Sequence, residues 1–139
     1  MINFNYESDF NLDNEDAIAS WLSAVILSEN KSEGEINYIF CDDEYLHKIN
    51  LEYLNHDTLT DIISFDYTMG NEISGDIFVS IERVIDNAKD YNTFFENELK
   101  RVLVHGVLHY CGYKDKSEDD EVKMRIKEDE KLTMFHVKQ

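Results

Sequence analysis

Two histidines, His105 and His109, lie four residues apart near the end of an apolar helical pattern, and they constrain this chain more than any other feature. On a helix, residues at i and i+4 are neighbours on one face, so the two imidazoles can hold a single cation. Gly112 is a natural end for that helix, because glycine accepts the left-handed conformation that follows a C-terminus. The turn would bring the carboxylate of Asp115 back over the histidines. The spacing therefore predicts a metal site at the end of a long helix.

Two imidazoles and one carboxylate favour zinc in tetrahedral geometry, with a fourth position left for water or substrate. Non-haem iron, nickel and manganese also accept this set of ligands, so another divalent transition metal stays open. Peptidases of the His-Glu-x-x-His type carry a glutamate directly after the first histidine as their general base. Gly106 occupies that position here, and a peptidase of that design would lack its base.

The composition indicates one acidic globular domain. The 139 residues fall within the size of a single domain, and a hydrophobic fraction of 42 % is enough for a core. Lys and Arg number 13 against 30 Asp and Glu, which gives a net charge of −17. A bare phosphate backbone is repelled by such a chain, but salt screens that repulsion beyond ~8 Å. A local basic patch or a bound cation could therefore still receive RNA.

The cysteines and the apolar runs bear on location. Cys41 and Cys111 form no pattern typical of a disulfide framework or a cysteine-based zinc site, which fits a reducing compartment. The first residues lack the basic segment and apolar run of a signal peptide. No stretch approaches the ~20 apolar residues that a membrane span needs. We expect a cytoplasmic protein without a membrane partner.

Alternating and helical patterns of apolar residues predict the elements. Strands are predicted at 2–6, 35–41, 60–67 and 76–81, and helices at 13–28, from about 42 to 53, after Ser80, from Thr93 to His109 and after Ser117. The last two strands are expected to be neighbours. The mixed order predicts a single α+β domain, with a mixed sheet of about four strands covered by about five helices.

Three helix starts carry capping signals. Ser80 can cap the third helix, and Thr93–Glu96 and Ser117–Asp120 show the Ser/Thr-x-x-acid pattern of a capping box. The first capping box supports a helical assignment for the two histidines. The last helix is expected to bury Val122 and Ile126.

Three polar residues near these motifs are candidates for a role in the site. His56 lies in a polar loop, where a free imidazole could act in proton transfer or could simply be solvated. Ser64 could form hydrogen bonds at a sheet edge near the site. Lys114 could meet a phosphate, although solvated charge is the default interpretation.

Three motifs of this chain resemble the YbeY family, the bacterial metal-dependent endoribonucleases of ribosomal RNA maturation. They are His105-Gly-Val-Leu-His109-x-x-Gly112-Tyr113, Thr60-Asp-Ile-Ile-Ser-Phe65 and Gly75-Asp-Ile77. The resemblance covers about 49–115 and extends loosely to both ends. It implies a zinc-dependent, single-strand-specific endoribonuclease that acts on the 3′ end of 16S ribosomal RNA and in ribosome quality control, with its cleft between the metal helix and the sheet. It also implies ribosomal RNA and the ribosome as partners, with ribosomal proteins or an assembly GTPase as further candidates.

The chain departs from the family pattern at two places. The third family ligand is usually a histidine in a Gly-Tyr-Asp-His ending, but here Asp115 takes that position and lowers the net positive charge at the metal. Family members commonly carry an arginine where this chain has Leu54. If an arginine is needed to stabilise the transition state, another residue must supply the charge, and His56 or Lys114 are the candidates.

We therefore predict an endoribonuclease. The predicted metal ligands and catalytic residues are His105, His109 and Asp115, with His56 as a further catalytic residue and Ser64 and Lys114 as substrate-binding residues. Two alternatives stay open: a metal hydrolase of another, peptide-like substrate, and a ribosome-assembly binding module in which the metal is structural. The end groups of the cut RNA would identify the attacking group, since a cyclic phosphate excludes attack by water.

Overall fold

A computed structural model of the chain describes residues 1–54 and 60–137. The elements in order are β1 (Ile2–Tyr6), α1 (Glu15–Ser28), β2 (Ser32–Cys41), α2 (Asp43–Leu54), β3 (Ile62–Asp66), β4 (Glu72–Ser80), α3 (Ile81–Asp90), α4 (Phe95–Tyr110) and α5 (Glu118–Val137). These four strands and five helices form one α+β domain, which confirms the predicted fold class. Among the described helices, none is long and apolar enough to cross a membrane. His56 lies outside the described residues.

The sheet is mixed, with strand order β1-β2-β4-β3. Strands β1, β2 and β4 are parallel, whereas β3 pairs antiparallel with β4, as expected for neighbouring strands. Strands β2 and β4 begin earlier than the alternating pattern predicted, at the pair Ser32 and Glu72. The register shifts between Glu33 and Ile36, and such an irregularity breaks the two-residue period on which the sequence prediction depends.

Most helices pack on one face of the sheet. The larger apolar cluster joins that face to α1, α3, α4 and α5, whereas a smaller cluster lies under α2 on the other face. The only tryptophan, Trp21, is 1 % exposed and donates from Nε1 to the carbonyl of Lys131 at 2.8 Å. Because α4 packs against the sheet and the neighbouring helices in the larger apolar cluster, it gives the histidines a rigid support.

Helix α4 begins later and ends where the sequence indicated. The predicted capping box at Thr93 is wrong: the N-cap is Phe94, without a side-chain hydrogen bond. Thr93 lies in the turn that ends α3, where its N–H donates to the carbonyl of Ala88 at 2.9 Å. At the other end, Gly112 has a φ of 107°. The N–H groups of Gly112 and Tyr113 turn back onto α4 carbonyls, a Schellman ending.

The buried face of α5 differs from the prediction. Val122 and Ile126 are 58 % and 59 % exposed, so the expectation that they are buried is wrong. Among the described side chains of this helix, the buried ones are Met124, Glu128, Lys131 and Phe135. Two of them are charged and find ionic partners inside the fold. A buried face with two charges is not visible to a pattern that counts only apolar residues. The caps predicted at Ser80 and Ser117 are confirmed, because both hydroxyls accept a backbone N–H.

The last residue of α4 ties the helix to the hairpin of β3 and β4. The hydroxyl of Tyr110 lies 3.0 Å from the carbonyl oxygen of Phe65 and 3.2 Å from that of Asp76. Gly75 makes room for this contact, since a Cβ there would collide with the Tyr110 hydroxyl and the Phe65 carbonyl. The Gly75-Asp-Ile motif therefore anchors the helix end that carries the histidines.

Replacing Tyr110 by Phe should lower the free energy of unfolding by about 1–2 kcal/mol, because the buried hydroxyl loses its hydrogen bond to the hairpin. Urea denaturation measures the change. Tyr67→Phe is the matched control, because Tyr67 is 59 % exposed and should change the stability by less than ~0.5 kcal/mol. Equal stabilities of the two variants would contradict this role.

Candidate metal centre

Three potential ligand atoms converge beyond the last turns of α4. The Nε2 atoms of His105 and His109 are 3.0 Å apart, and Oδ2 of Asp115 lies 3.2 Å and 3.4 Å from them. Ligands of a tetrahedral ion with bonds of ~2.0–2.1 Å stand about 3.3 Å apart. The triangle has the size that such an ion needs, and among the described residues these three form the group that could hold a metal.

The other nitrogen of each imidazole has its own partner. Nδ1 of His105 lies 2.6 Å from Oε2 of Glu128, and Nδ1 of His109 lies 3.0 Å from the carbonyl oxygen of Tyr113. Both partners are acceptors, so the proton belongs on Nδ1 and the lone pair of each Nε2 is free to bind a cation. The rings are thus held in the tautomer and orientation that metal binding requires.

The charges around His105 favour a cation at the same point. Burial alone would lower the pKa of His105, but the hydrogen bond and charge of Glu128, with the charges of Asp115 and Asp61, raise its pKa overall. The side chains of His105 and His109 are 20 % and 29 % exposed, whereas Asp115 is 41 % exposed. The geometry, the tautomers and the negative surroundings therefore all fit a bound divalent ion.

Gly106, between the two histidines, faces the sheet. A Cβ at this position would lie 3.0 Å from Cδ1 of Ile77 and 3.2 Å from Cδ1 of Ile62. A glutamate side chain has no room at this close contact between α4 and the sheet. The absence of a His-Glu-x-x-His base is therefore a consequence of the packing, and it counts against a peptidase of that design.

The histidines open into a cleft of about 600 Å³. Its lining includes Thr60, Asp61, Ser64, Asn87, Tyr91, Asn97, Glu98, Arg101, His105, His109, Asp115, Arg125 and Glu128. The structure thus brings the predicted Ser64 into the same cleft as the three predicted ligands. Lys114 is exposed on the loop after α4 and is not among the described lining residues.

The sequence interpretation did not assign Glu98, Arg101, Arg125 or Glu128 to this cleft. Arg101 pairs with Glu128 at 2.8 Å and with Asp129 at 2.6 Å, so its charge is largely neutralised. Arg125 is exposed and makes no hydrogen bond or salt bridge within the described part of the chain. The spacing of Arg101 to His105, four residues on one helix, could have indicated their common face. No local signal connects Glu128 or Arg125 with the histidines.

Glu128→Gln should weaken zinc binding about 10- to 100-fold. The substitution removes a negative charge near the site, and the neutral amide holds the His105 ring less firmly than the carboxylate does. Titration calorimetry with a competing chelator measures the affinity. Glu121→Gln is the control: it makes the same charge change on the exposed side of α5 and should bind zinc like the wild type. Equal affinities of the two variants would contradict the role of Glu128.

Comparison with known proteins agrees with the fold and with the family resemblance. The family model described as Endoribonuclease YbeY matches residues 2–136. A protein of Flavobacterium johnsoniae named Endoribonuclease YbeY is 79 % identical over 139 residues, which is 100 % of both chains. One of the same name from Christiangramia forsetii is 60 % identical over 99 % of this chain and 96 % of its own.

A solution structure of a Thermotoga maritima protein has a similar fold. The two structures give a TM-score of 0.72 at 25 % sequence identity, and the alignment covers 97 % of this chain and 89 % of the other. The family match spans nearly the whole sequence, and the relatives cover it from end to end. The chain therefore belongs to the YbeY family.

Proposed function

We propose that this protein is a zinc-dependent, single-strand-specific endoribonuclease that matures the 3′ end of 16S ribosomal RNA and acts in ribosome quality control. The observation that carries the proposal is the convergence of His105, His109 and Asp115 at the mouth of a polar cleft. The family and the names of the relatives support an endoribonuclease role.

In this proposal, His105, His109 and Asp115 hold the ion, and bound zinc supplies a Lewis acid for a phosphoryl oxygen. Glu128 and the Tyr113 carbonyl keep the two imidazoles aimed at the same point. The carboxylate of Asp115 offsets part of the charge that a third histidine would leave on the ion. The rigid packing of α4 holds these groups in place before substrate arrives.

Arg125 takes the place that the sequence analysis gave to Lys114 or His56 as a supplier of positive charge. Arg125 lines the cleft and forms no salt bridge among the described residues, in contrast to Arg101, although its charge acts on Glu98 of the same cleft. Against a net charge of −17, one free cation acts only locally, because salt screens fields beyond ~8 Å. We infer that Arg125 receives a phosphate of the strand once it is in the cleft.

The size of the cleft fits a single strand. A volume of about 600 Å³ lies in the range of sites that enclose small organic ligands, so it can take one or two nucleotides and not a duplex. The walls carry amides, hydroxyls and carboxyls, groups that bind base edges exposed only when a strand is unpaired. We place this activity in the cytoplasm, with ribosomal RNA and the ribosome as partners and ribosomal proteins or an assembly GTPase as further candidates.

His109→Ala should lose both zinc and RNA cleavage, because it removes one of three ligands. Metal analysis and a cleavage assay on a single-stranded 16S 3′-end fragment measure the two effects. His47→Ala, a histidine on α2 outside the cleft lining, is the control and should retain one zinc and full cleavage. RNA cleavage by zinc-free His109→Ala would contradict the proposal. Zinc without cleavage in the wild type would favour the assembly module with a structural metal.

Arg125→Ala should weaken binding of a single strand several-fold at low salt and reduce the slope of log affinity against log salt by about 0.7, the effect of one lost phosphate contact. Fluorescence anisotropy with single-stranded DNA, which an endoribonuclease does not cut, measures both. Lys123→Ala removes an equal charge from an exposed position on α5 outside the cleft lining and should leave the slope unchanged. Identical slopes would contradict the phosphate contact.

A further inference from the structure

The cleft continues past the metal centre, along α4 toward its first turn. This end is formed by residues from the last turn of α3, the connection to α4 and the start of α4, among them Tyr91, Asn97 and Glu98. Glu98 is 6 % exposed, and its carboxylate makes no hydrogen bond or salt bridge within the described residues. Because no fully buried polar side-chain atom there lacks a partner, the free oxygens of Glu98 must reach the cleft.

The position of Glu98 separates it from the reacting atoms. Glu98 and His105 are seven residues apart on α4, which places them two turns apart on one helix face, about 10.5 Å along the axis. At that distance Glu98 does not touch a group held by the metal ligands. It can instead contact the base of a nucleotide beside the cleaved bond.

The acidic residues at this end of the cleft disfavour the binding of a phosphate. Burial raises the pKa of Glu98; the positive charges of Arg101 and Arg125 oppose that rise, and the negative charges of Asp61 and Glu128 add to it. The pKa of Asp61 is raised as well, chiefly by burial. An anionic phosphate would add to this repulsion. A buried carboxylate that has no hydrogen-bond partner among the described residues can accept N–H donors from a ligand.

We propose that Glu98 forms a guanine subsite beside the metal centre. The Watson–Crick edge of guanine carries two adjacent donors, N1–H and N2–H, which the two carboxylate oxygens can accept together. Adenine and cytosine offer an amino group next to a ring acceptor, and uracil a single N–H between two carbonyls. Tyr91, 65 % exposed at the end of α3, offers a ring on which the base can stack. The inference rests on the proposed function, because it takes a single strand as the ligand.

The test compares short oligothymidylates with one central dG, dI or dA, bound to the zinc-loaded full chain and measured by fluorescence anisotropy. The dG strand should bind about tenfold or more tighter than the dA strand, and dI, which lacks only the N2 amino group, should fall between them. In Glu98→Gln the dG-to-dA ratio should fall to within about twofold of one. Glu96→Gln, an exposed acid in the same helical turn, should keep the wild-type ratio.

A dG-to-dA ratio near one in the wild type, or an unchanged ratio in Glu98→Gln, would overturn the subsite. Zinc content of Glu98→Gln is measured alongside, so that a folding defect is not mistaken for lost base contacts. The outcome is separate from the nuclease assay. Guanine preference without RNA cleavage would support the subsite and contradict the proposed function. RNA cleavage without guanine preference would support the proposed function and contradict the subsite.

Discussion

The carboxylate of Glu128 makes the contact on which the site depends. One oxygen lies 2.8 Å from Arg101 and the other 2.6 Å from His105, while the residue is only 6 % exposed. A charge this buried is tolerated because both of its oxygens are paired, and removing either partner would leave it uncompensated. The bridge holds α5 against α4 and, through that docking, orients His105 and brings Arg125 to the cleft. The last helix is therefore part of the site.

Two glycines place α4 where this bridge can form. Gly106 lets the helix approach Ile77 and Ile62 of the sheet, and Gly75 leaves space for the Tyr110 hydroxyl against the hairpin. Gly112, with its positive φ, then reverses the chain so that Asp115 returns over the histidines. The close packing that excludes a glutamate after His105 is thus the same packing that fixes the ligand triangle. The missing glutamate after His105 and the arrangement of the three candidate ligands therefore have one physical origin, the close packing of α4 on the sheet.

Local signals in the sequence predicted much of this. The apolar spacing, the i to i+4 histidines and the helix-ending Gly112 are properties of one segment, and the structure brings its three predicted ligands together. Features that depend on tertiary packing were not predicted from the sequence. Glu128 contacts His105 although the two are 23 residues apart in the chain, and the buried face of α5 contains charged residues. The N–H of Thr93 belongs to the turn that ends α3. The catalytic role of His56 stays a prediction, since the described residues do not include it.

The central claim is that His105, His109 and Asp115 together hold one zinc ion. X-ray absorption at the zinc edge of the loaded protein tests it most directly, because the method reports ligand types around the metal itself. The account predicts a shell of nitrogen and oxygen only, with the outer scattering of two imidazoles. A sulfur ligand, which Cys111 beside Gly112 could supply, or a shell without imidazole would contradict it.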